Sequence, residues 1–268
     1  MGAIPILGLG TYGRTGPEGV DAMLAAIDIG YRHIDTAQTY DTEANVGAAM
    51  RRSGLPRDAF FVTTKVADGN LGRDRFLPSV VKSLATIGVD QVDLLLIHWP
   101  SFGGAVPFEH YMEELALAQQ RGLARLIGVS NFTIALLDRA VALLGKDTLA
   151  TNQVEIHPYL QARRLCAHAK AIGLQLTAYQ PLARGAVTDD PVLNGIAARH
   201  GSNPSAVALA FLIAEGHIVI PASGSRRHLE QNFAASTVGL DAGDIAAIRN
   251  LDRGMRVINP AKSPAWDD

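Results

Sequence analysis

The feature of this sequence that most limits its fold is an alternation repeated along almost its whole length. Short β-rich apolar runs recur: YRHIDTA, FFVTTKV, VDLLLIHWP, RLIGVSN, ATNQVE, LQLTAYQP and HIVIPAS, with a weaker eighth near AASTVGL. Between them lie longer stretches with Ala, Leu and Val at three- and four-residue spacing, among them GVDAMLAAIDIG, TEANVGAAMRRSG, RDRFLPSVVKSLATIG, VPFEHYMEELALAQQRG, TIALLDRAVALLG and SAVALAFLIAEG. Helical stretches also stop at glycines, as helix C-termini often do: Gly30, Gly54, Gly88, Gly122, Gly145 and Gly173. Strand and helix in turn, about eight times, predict an α/β fold with parallel strands.

Eight such units in 268 residues fit a closed (β/α)8 TIM barrel. No linker or shift in composition interrupts the chain, so residues 1–268 are expected to form a single domain. The competing doubly wound sheet would carry G-x-G-x-x-G between its first strand and helix. GLGTYG at 8–13 resembles that only loosely and precedes the first unit, so it reads as a glycine-rich turn.

Apolar residues make up 48% of the chain, enough for a large core. Charged residues make up 19% and the net charge is −2, which gives no basic face for nucleic acid. The single cysteine rules out a disulfide framework, and Cys166 in LCAHAKAIG reads as a small buried hydrophobe on a helix. The start, MGAIPILGLGTYG, lacks a basic region and a long apolar core, so no secretory signal is expected. Residue 6 is Ile where a myristoylation signal prefers Ser or Thr, and no run suits a membrane span. A cytoplasmic chain with no membrane partner is the expectation.

Chemistry-bearing residues gather where the runs end. The first ends at Asp35, the second at Lys65, the third at His98 and Trp99, the fourth at Ser130 and Asn131. The fifth carries Asn152, Gln153 and Glu155, the sixth ends at Tyr179 and Gln180, the seventh at Ser223. In a barrel, every strand's C-terminal end opens onto one face, where active sites sit. Asp35, Lys65 and His98 therefore become neighbours, and Tyr40 can fold back over them. Each alone has a plain structural reading: a helix cap, a solvent-seeking Lys, a satisfied core His. Together on one rim they read as a site.

That cluster suits carbonyl reduction. An ammonium roughly 4 Å from a phenol, at an effective dielectric of about 20, favours the phenolate by about 4 kcal/mol, nearly three pKa units. Lys65 would thus draw Tyr40 towards neutrality as a general acid, while Asp35 holds Lys65. A neutral His98 would orient the carbonyl. The hydride must come from a nicotinamide, since no side chain supplies one. Ser130, Asn131 and Gln153 suit its carboxamide, and Tyr179 suits stacking on a flat ring. The stretch Ser223, Gly224, Ser225, Arg226, Arg227 and His228 offers a phosphate site where barrels often have one.

These residues closely resemble the aldo-keto reductase superfamily, and within it the bacterial 2,5-diketo-D-gluconate reductases of the shorter B type. The matching stretches are GLGTY, YRHIDTAQTYDTEANVG, VTTKV, VDLLLIHWP, IGVSNF, TNQVEIHPYLQ and AYQPLARG, in order along essentially the whole chain. The resemblance implies a catalytic tetrad of Asp35, Tyr40, Lys65 and His98, with Tyr40 the acid. It implies NAD(P)H across the barrel mouth, with Gln180, Leu182 and Asn232 beside the cofactor residues already named. It also implies a monomer acting on a small carbonyl substrate.

Two departures stand out. In IPASGSRRH, Ala222 replaces the expected phosphate-binding Lys and His228 an adenine-side Arg. Arg226 and Arg227 would substitute, so NADPH is expected, with NADH use an alternative. Ala67 stands where an aromatic residue often lines the substrate pocket. With short loops, this predicts an open, shallow pocket walled by Tyr12, Trp99 and Trp266. Two other readings are a nicotinamide-binding regulatory barrel and a metal-dependent hydrolase using His98, His157 and Asp35. No H-x-H pair or other metal spacing supports the latter, and no metal site is expected.

Overall fold

The computed structural model describes residues 4–267. Met1 and Gly2, on which the lipidation expectation rests, lie outside the described residues. One sheet of eight parallel strands runs in sequence order: β1 (Gly8–Gly10), β2 (His33–Asp35), β3 (Phe61–Val66), β4 (Val92–Ile97), β5 (Ala124–Ser130), β6 (Leu149–Glu155), β7 (Gln175–Tyr179) and β8 (Ile218–Val219). It curls until its ends meet. Leu7 bridges Val219, the Val219 amide donates to Ile6 O at 2.8 Å, and the Gly10 amide donates to Pro221 O at 3.0 Å. The fold is the (β/α)8 barrel.

The six helical stretches appear as α1 (Gly16–Ile29), α2 (Glu43–Ser53), α3 (Phe76–Ile87), α4 (Phe108–Gln120), α5 (Ile134–Leu144) and α8 (Pro204–Ala214). Between and after them come α6 (Arg163–Ile172), α7 (Pro191–Arg199), α9 (Arg226–Phe233) and α10 (Ala242–Arg249). All six helix-ending glycines have positive φ, as a left-turning helix exit requires. Among the described residues no helix is long and apolar enough to cross a membrane.

Two expectations need correction. AASTVGL holds no strand; Ala234–Thr237 is a short 3-10 turn. The missing strand is β1, in the stretch expected to be a turn; only Tyr12 and Gly13 turn. The physical reason lies in its inward positions. A Cβ on Gly8 would stand 2.7 Å from His33 Nδ1, and one on Gly10 would stand 2.8 Å from Ile220 O. A strand pressed this close to its neighbours cannot carry the β-branched residues that advertise a strand. Cys166 is also less hidden than expected: it is half-buried, with its thiol donating to Gln161 O at 3.3 Å.

Period-two alternation sets which side chains enter the barrel. On β4, Leu95 and Ile97 pack outward against the helices, while Leu94 and Leu96 point inward. Phe61, Leu94, Leu96, Leu126 and Ile218 fill the barrel's lower interior with Ile4. Each such buried side chain contributes about 2 kcal/mol relative to solvent. The same alternation then carries polar groups upward: Phe61, Thr63, Lys65 on one strand; His33, Asp35 on the next; Leu94, Leu96, His98 on a third. Apolar below and polar above is what places the site.

Candidate active site

Lys65 is fully buried, with its Nζ 2.5 Å from Asp35 Oδ1 and 2.8 Å from Thr36 O. The other carboxylate oxygen, Asp35 Oδ2, accepts from Gln153 Nε2 at 2.8 Å. Above this pair, Lys65 Nζ lies 4.9 Å from the centre of the Tyr40 ring. The Tyr40 hydroxyl is 3.3 Å from His98 Nε2, and the two rings meet edge to face. The four side chains expected to assemble are thus in one cluster, on the C-terminal rim. Tyr40 reaches it because β2 gives way to a tight turn, with the Tyr40 amide donating to Ala37 O at 3.1 Å.

The electrostatics differ from expectation at Tyr40. Burial is the largest influence and raises its pKa; Lys65 pulls it down but does not win, and Asp35 opposes Lys65. Tyr40 is therefore a firmly protonated phenol above the usual value, not one drawn towards neutrality. Lys65 loses from burial, but Asp35 and Tyr40 outweigh that, so its pKa rises. Burial, then Lys65, then Lys262 hold His98 well below the usual imidazole value, so it stays neutral.

A cavity of about 710 Å³ opens over the cluster. Asp35, Tyr40, His98 and Trp99 lie at one end of its lining; Ser223, His228 and Asn232 lie at the other. Between them, Tyr179 donates to Asn131 Oδ1 at 2.8 Å, Asn131 Nδ2 donates to His98 O at 2.9 Å, and Ser130 donates to Gln153 O at 2.8 Å. Gln180 and Leu182 also line the cavity. Asn131 and Gln180 hold positive φ, 63° and 50°, a backbone strain seen at sites that must aim a side chain. His157, one of the three residues of the metal-hydrolase reading, pairs with Glu155 at 3.1 Å and accepts from the Tyr159 amide at 3.3 Å.

The phosphate stretch divides. Gly224 and Ser225 line a second hollow that shares Ala222, Ser223 and His228 with the main cavity. Arg226 lines neither: its guanidinium is engaged by Asp28 and by Glu230. Arg227 is exposed at the start of α9. Arg14, missed in the sequence, lines the second hollow; its Nη1 lies 2.7 Å from where a Gly224 Cβ would sit, and its buried Nε has no hydrogen-bond partner.

At the substrate end, Tyr12 is 64% exposed and stands edge-on to Tyr40, and Trp99 is buried in the wall. Ala67 and Trp266 fall outside the lining. Ala67 is buried with its amide on Gln38, and Trp266 packs against Trp99 beneath Arg256. The segment following α10 instead contributes Ile258, Pro260 and Lys262 to the lining. It is fastened by Glu155, whose buried carboxylate accepts from the Val257 amide at 2.6 Å and the Ile258 amide at 2.8 Å. Nothing periodic marks this irregular segment in the sequence; Glu155, closing the polar fifth run, was the available signal.

A (β/α)8 barrel with a Tyr, His, Lys and Asp cluster at its C-terminal rim defines the class, and comparison with known proteins agrees. Residues 6–253 match the model of the aldo/keto reductase family. The chain belongs to that family and is an oxidoreductase that reduces carbonyls. It is 45% identical over 265 residues to methylglyoxal reductase DkgB of Salmonella typhimurium, covering 98% of this chain and 99% of the relative. A Yersinia pestis protein of the same name is 42% identical, over 99% of this chain and 100% of its own. A crystal structure provisionally assigned as a 2,5-diketo-D-gluconic acid reductase B superposes with a TM-score of 0.94 at 40% identity, covering 99% of this chain and 94% of that one. Proteins of this family use nicotinamide cofactors.

Proposed function

We propose that the chain reduces small polar carbonyl compounds, of the methylglyoxal, 2,5-diketogluconate and keto-ester kinds, using NADPH, with Tyr40 as the proton donor. The observation that carries this is the Tyr40 hydroxyl, 3.3 Å from His98 Nε2 with the Lys65 ammonium under its ring. The cavity runs without a break from that hydroxyl to Ser223 and Asn232, which fits an extended dinucleotide. When bound, the nicotinamide supplies the hydride to the carbonyl carbon. Ser130, Asn131 and Gln153 would hold its carboxamide, and Tyr179 its ring.

The chain's own groups do the rest. The Thr39 hydroxyl lies 3.4 Å from His98 Nδ1 and can donate to it; in that tautomer Nε2 carries the proton and donates to the carbonyl oxygen. As negative charge grows on that oxygen, Tyr40 gives up its proton to it. The resulting phenolate is stabilised by Lys65, which Asp35 keeps charged. The raised pKa of Tyr40 ensures the proton is present, and the fixed ammonium lowers the cost of losing it. At the other end, Arg14 stands beside Ser223 and Ser225, where it supplies the cation that Ala222 does not.

The test is to follow nicotinamide oxidation with NADPH and NADH in parallel against methylglyoxal, 2,5-diketogluconate and a β-keto ester. Turnover with NADPH preferred is the expected result. An NADH preference would overturn the cofactor assignment alone. Tight nicotinamide binding without turnover would replace the reading with that of a regulatory barrel. The same proposal takes the chain to act as a cytoplasmic monomer of one domain, which light scattering on the purified protein checks for the monomer.

A further inference from the structure

Lys262 sits in the irregular segment after α10, and its side chain lines the same cavity as Tyr40, His98 and Trp99. Its ammonium lies 5.7 Å from the Trp99 ring centre and 2.7 Å from Asp68 Oδ1. Its charge reaches the reacting end: it is one of the influences holding His98 neutral, behind burial and Lys65. Arg184 is the other Lys or Arg among the lining residues, and it follows β7 beside Leu182 and Gly185, away from the segment that carries Lys262. A substrate whose carbonyl meets Tyr40 and His98 therefore has one ammonium at hand on the Trp99 side.

We propose that Lys262 determines specificity by binding the carboxylate of an oxo-carboxylate substrate while Tyr40 and His98 engage its carbonyl. This rests on the reductase reading above and names the substrate class of that site. The aromatic face of Trp99 keeps the ammonium over the cavity, as ring faces do for cations. Asp68 holds Lys262 in place when no substrate is bound. That pair is about a third exposed on each side, 33% and 35%, and ion pairs this open to water are weak. A carboxylate in the cavity can take over Lys262 at little cost. Asp68 is then a competitor for the same ammonium, and its removal strengthens substrate binding.

The plain structural alternative makes Lys262 and Asp68 a latch between the last segment and the loop after β3. Benzoylformate and its methyl ester separate the two, since they share a carbonyl and differ by one charge. Two quantities are measured for wild type, Lys262→Met and Asp68→Asn: the ratio of kcat/KM for acid over ester, and Kd from quenching of Trp99 and Trp266 fluorescence. The ratio is expected to fall about tenfold or more in Lys262→Met and to rise in Asp68→Asn, with Kd for the acid moving in the same sense. A ratio that moves by less than about twofold in both variants, or that falls in both, refutes the proposal. Absence of turnover of either compound would instead count against the reductase reading, and the Kd comparison would still decide the role of Lys262.

Discussion

Gln153 donates its side-chain amide to Asp35 Oδ2 at 2.8 Å, taking the carboxylate oxygen that Lys65 leaves free. A residue on the cavity wall is thereby a brace for the buried ion pair beneath Tyr40. Gln153→Leu leaves that oxygen buried without a donor, at a cost of about 1–3 kcal/mol. Both kcat and nicotinamide affinity are expected to drop by about tenfold, as a residue shared by the two sites would require. Steady-state kinetics with a fluorescence Kd for the cofactor check this; an effect on Kd alone would restrict Gln153 to the cofactor.

Tyr40→Phe removes the proposed proton donor and little else, because the ring keeps its edge-on contacts with Tyr12 and His98. Turnover should fall by about 100-fold or more, with cofactor affinity held within a few-fold. Turnover within a few-fold of wild type would show that another group donates the proton.

The pH profile follows from the directions of two pKa shifts. The raised pKa of Tyr40 keeps the acid present below the usual phenol value, so reduction is lost only as pH rises through it. The lowered pKa of His98 keeps the imidazole neutral as pH falls through the usual imidazole range. The expected profile of kcat/KM is flat from about pH 6.5 to pH 9 with an alkaline limb above. Lys65→Met removes a group that lowers the Tyr40 pKa, so the limb should move further up while the rate falls. Lys65→Arg keeps a charge and serves as the folded control; an alkaline limb unmoved in Lys65→Met would mean that Lys65 does not tune Tyr40.

Discrimination between cofactors should depend on Arg14 and hardly at all on Arg226. Arg226 already serves Asp28 and Glu230 on the surface, whereas Arg14 faces the hollow beside Ser225. Arg14→Ala is expected to weaken NADPH binding by about tenfold while NADH changes little. The equivalent titration of Arg226→Ala should stay near wild type. The reverse pattern would return the phosphate to Arg226.

Barrel closure can be tested at Gly10. A methyl group there would meet the backbone oxygen of Ile220, which cannot swing aside as a side-chain tip could. Gly10→Ala should cost about 1–3 kcal/mol, read as a lower unfolding midpoint in urea at unchanged m-value.

Period and position made most of this molecule readable. The apolar runs VDLLLIHWP and FFVTTKV announce strands that end at His98 and Lys65, and the rim follows once the strands close. What stayed hidden has physical causes. β1 is a strand whose inward positions must be bare, so its glycines imitate a turn. Tyr40 is buried as well as charged upon, and a pairwise Coulomb estimate carries no cost for lost water. Arg226 is drawn away from the cavity because ion pairing depends on which carboxylates lie near in space, and Asp28 is far from Arg226 along the chain. Lys262 lies in a stretch with neither period nor turn signature.

The hold of Glu155 on the Val257 and Ile258 amides has a consequence for how this barrel could diversify. It fastens the start of the final segment to a strand end, while the stretch beyond is tied to other loops and helices, Lys262 to Asp68 and Asp267 to the Ile134 amide. A longer or more aromatic sequence over residues 259–267 would reshape the Trp99 side of the cavity while the strand-end anchor is kept. One carboxylate thus divides the part of the chain that must stay the same from the part free to acquire a different clientele.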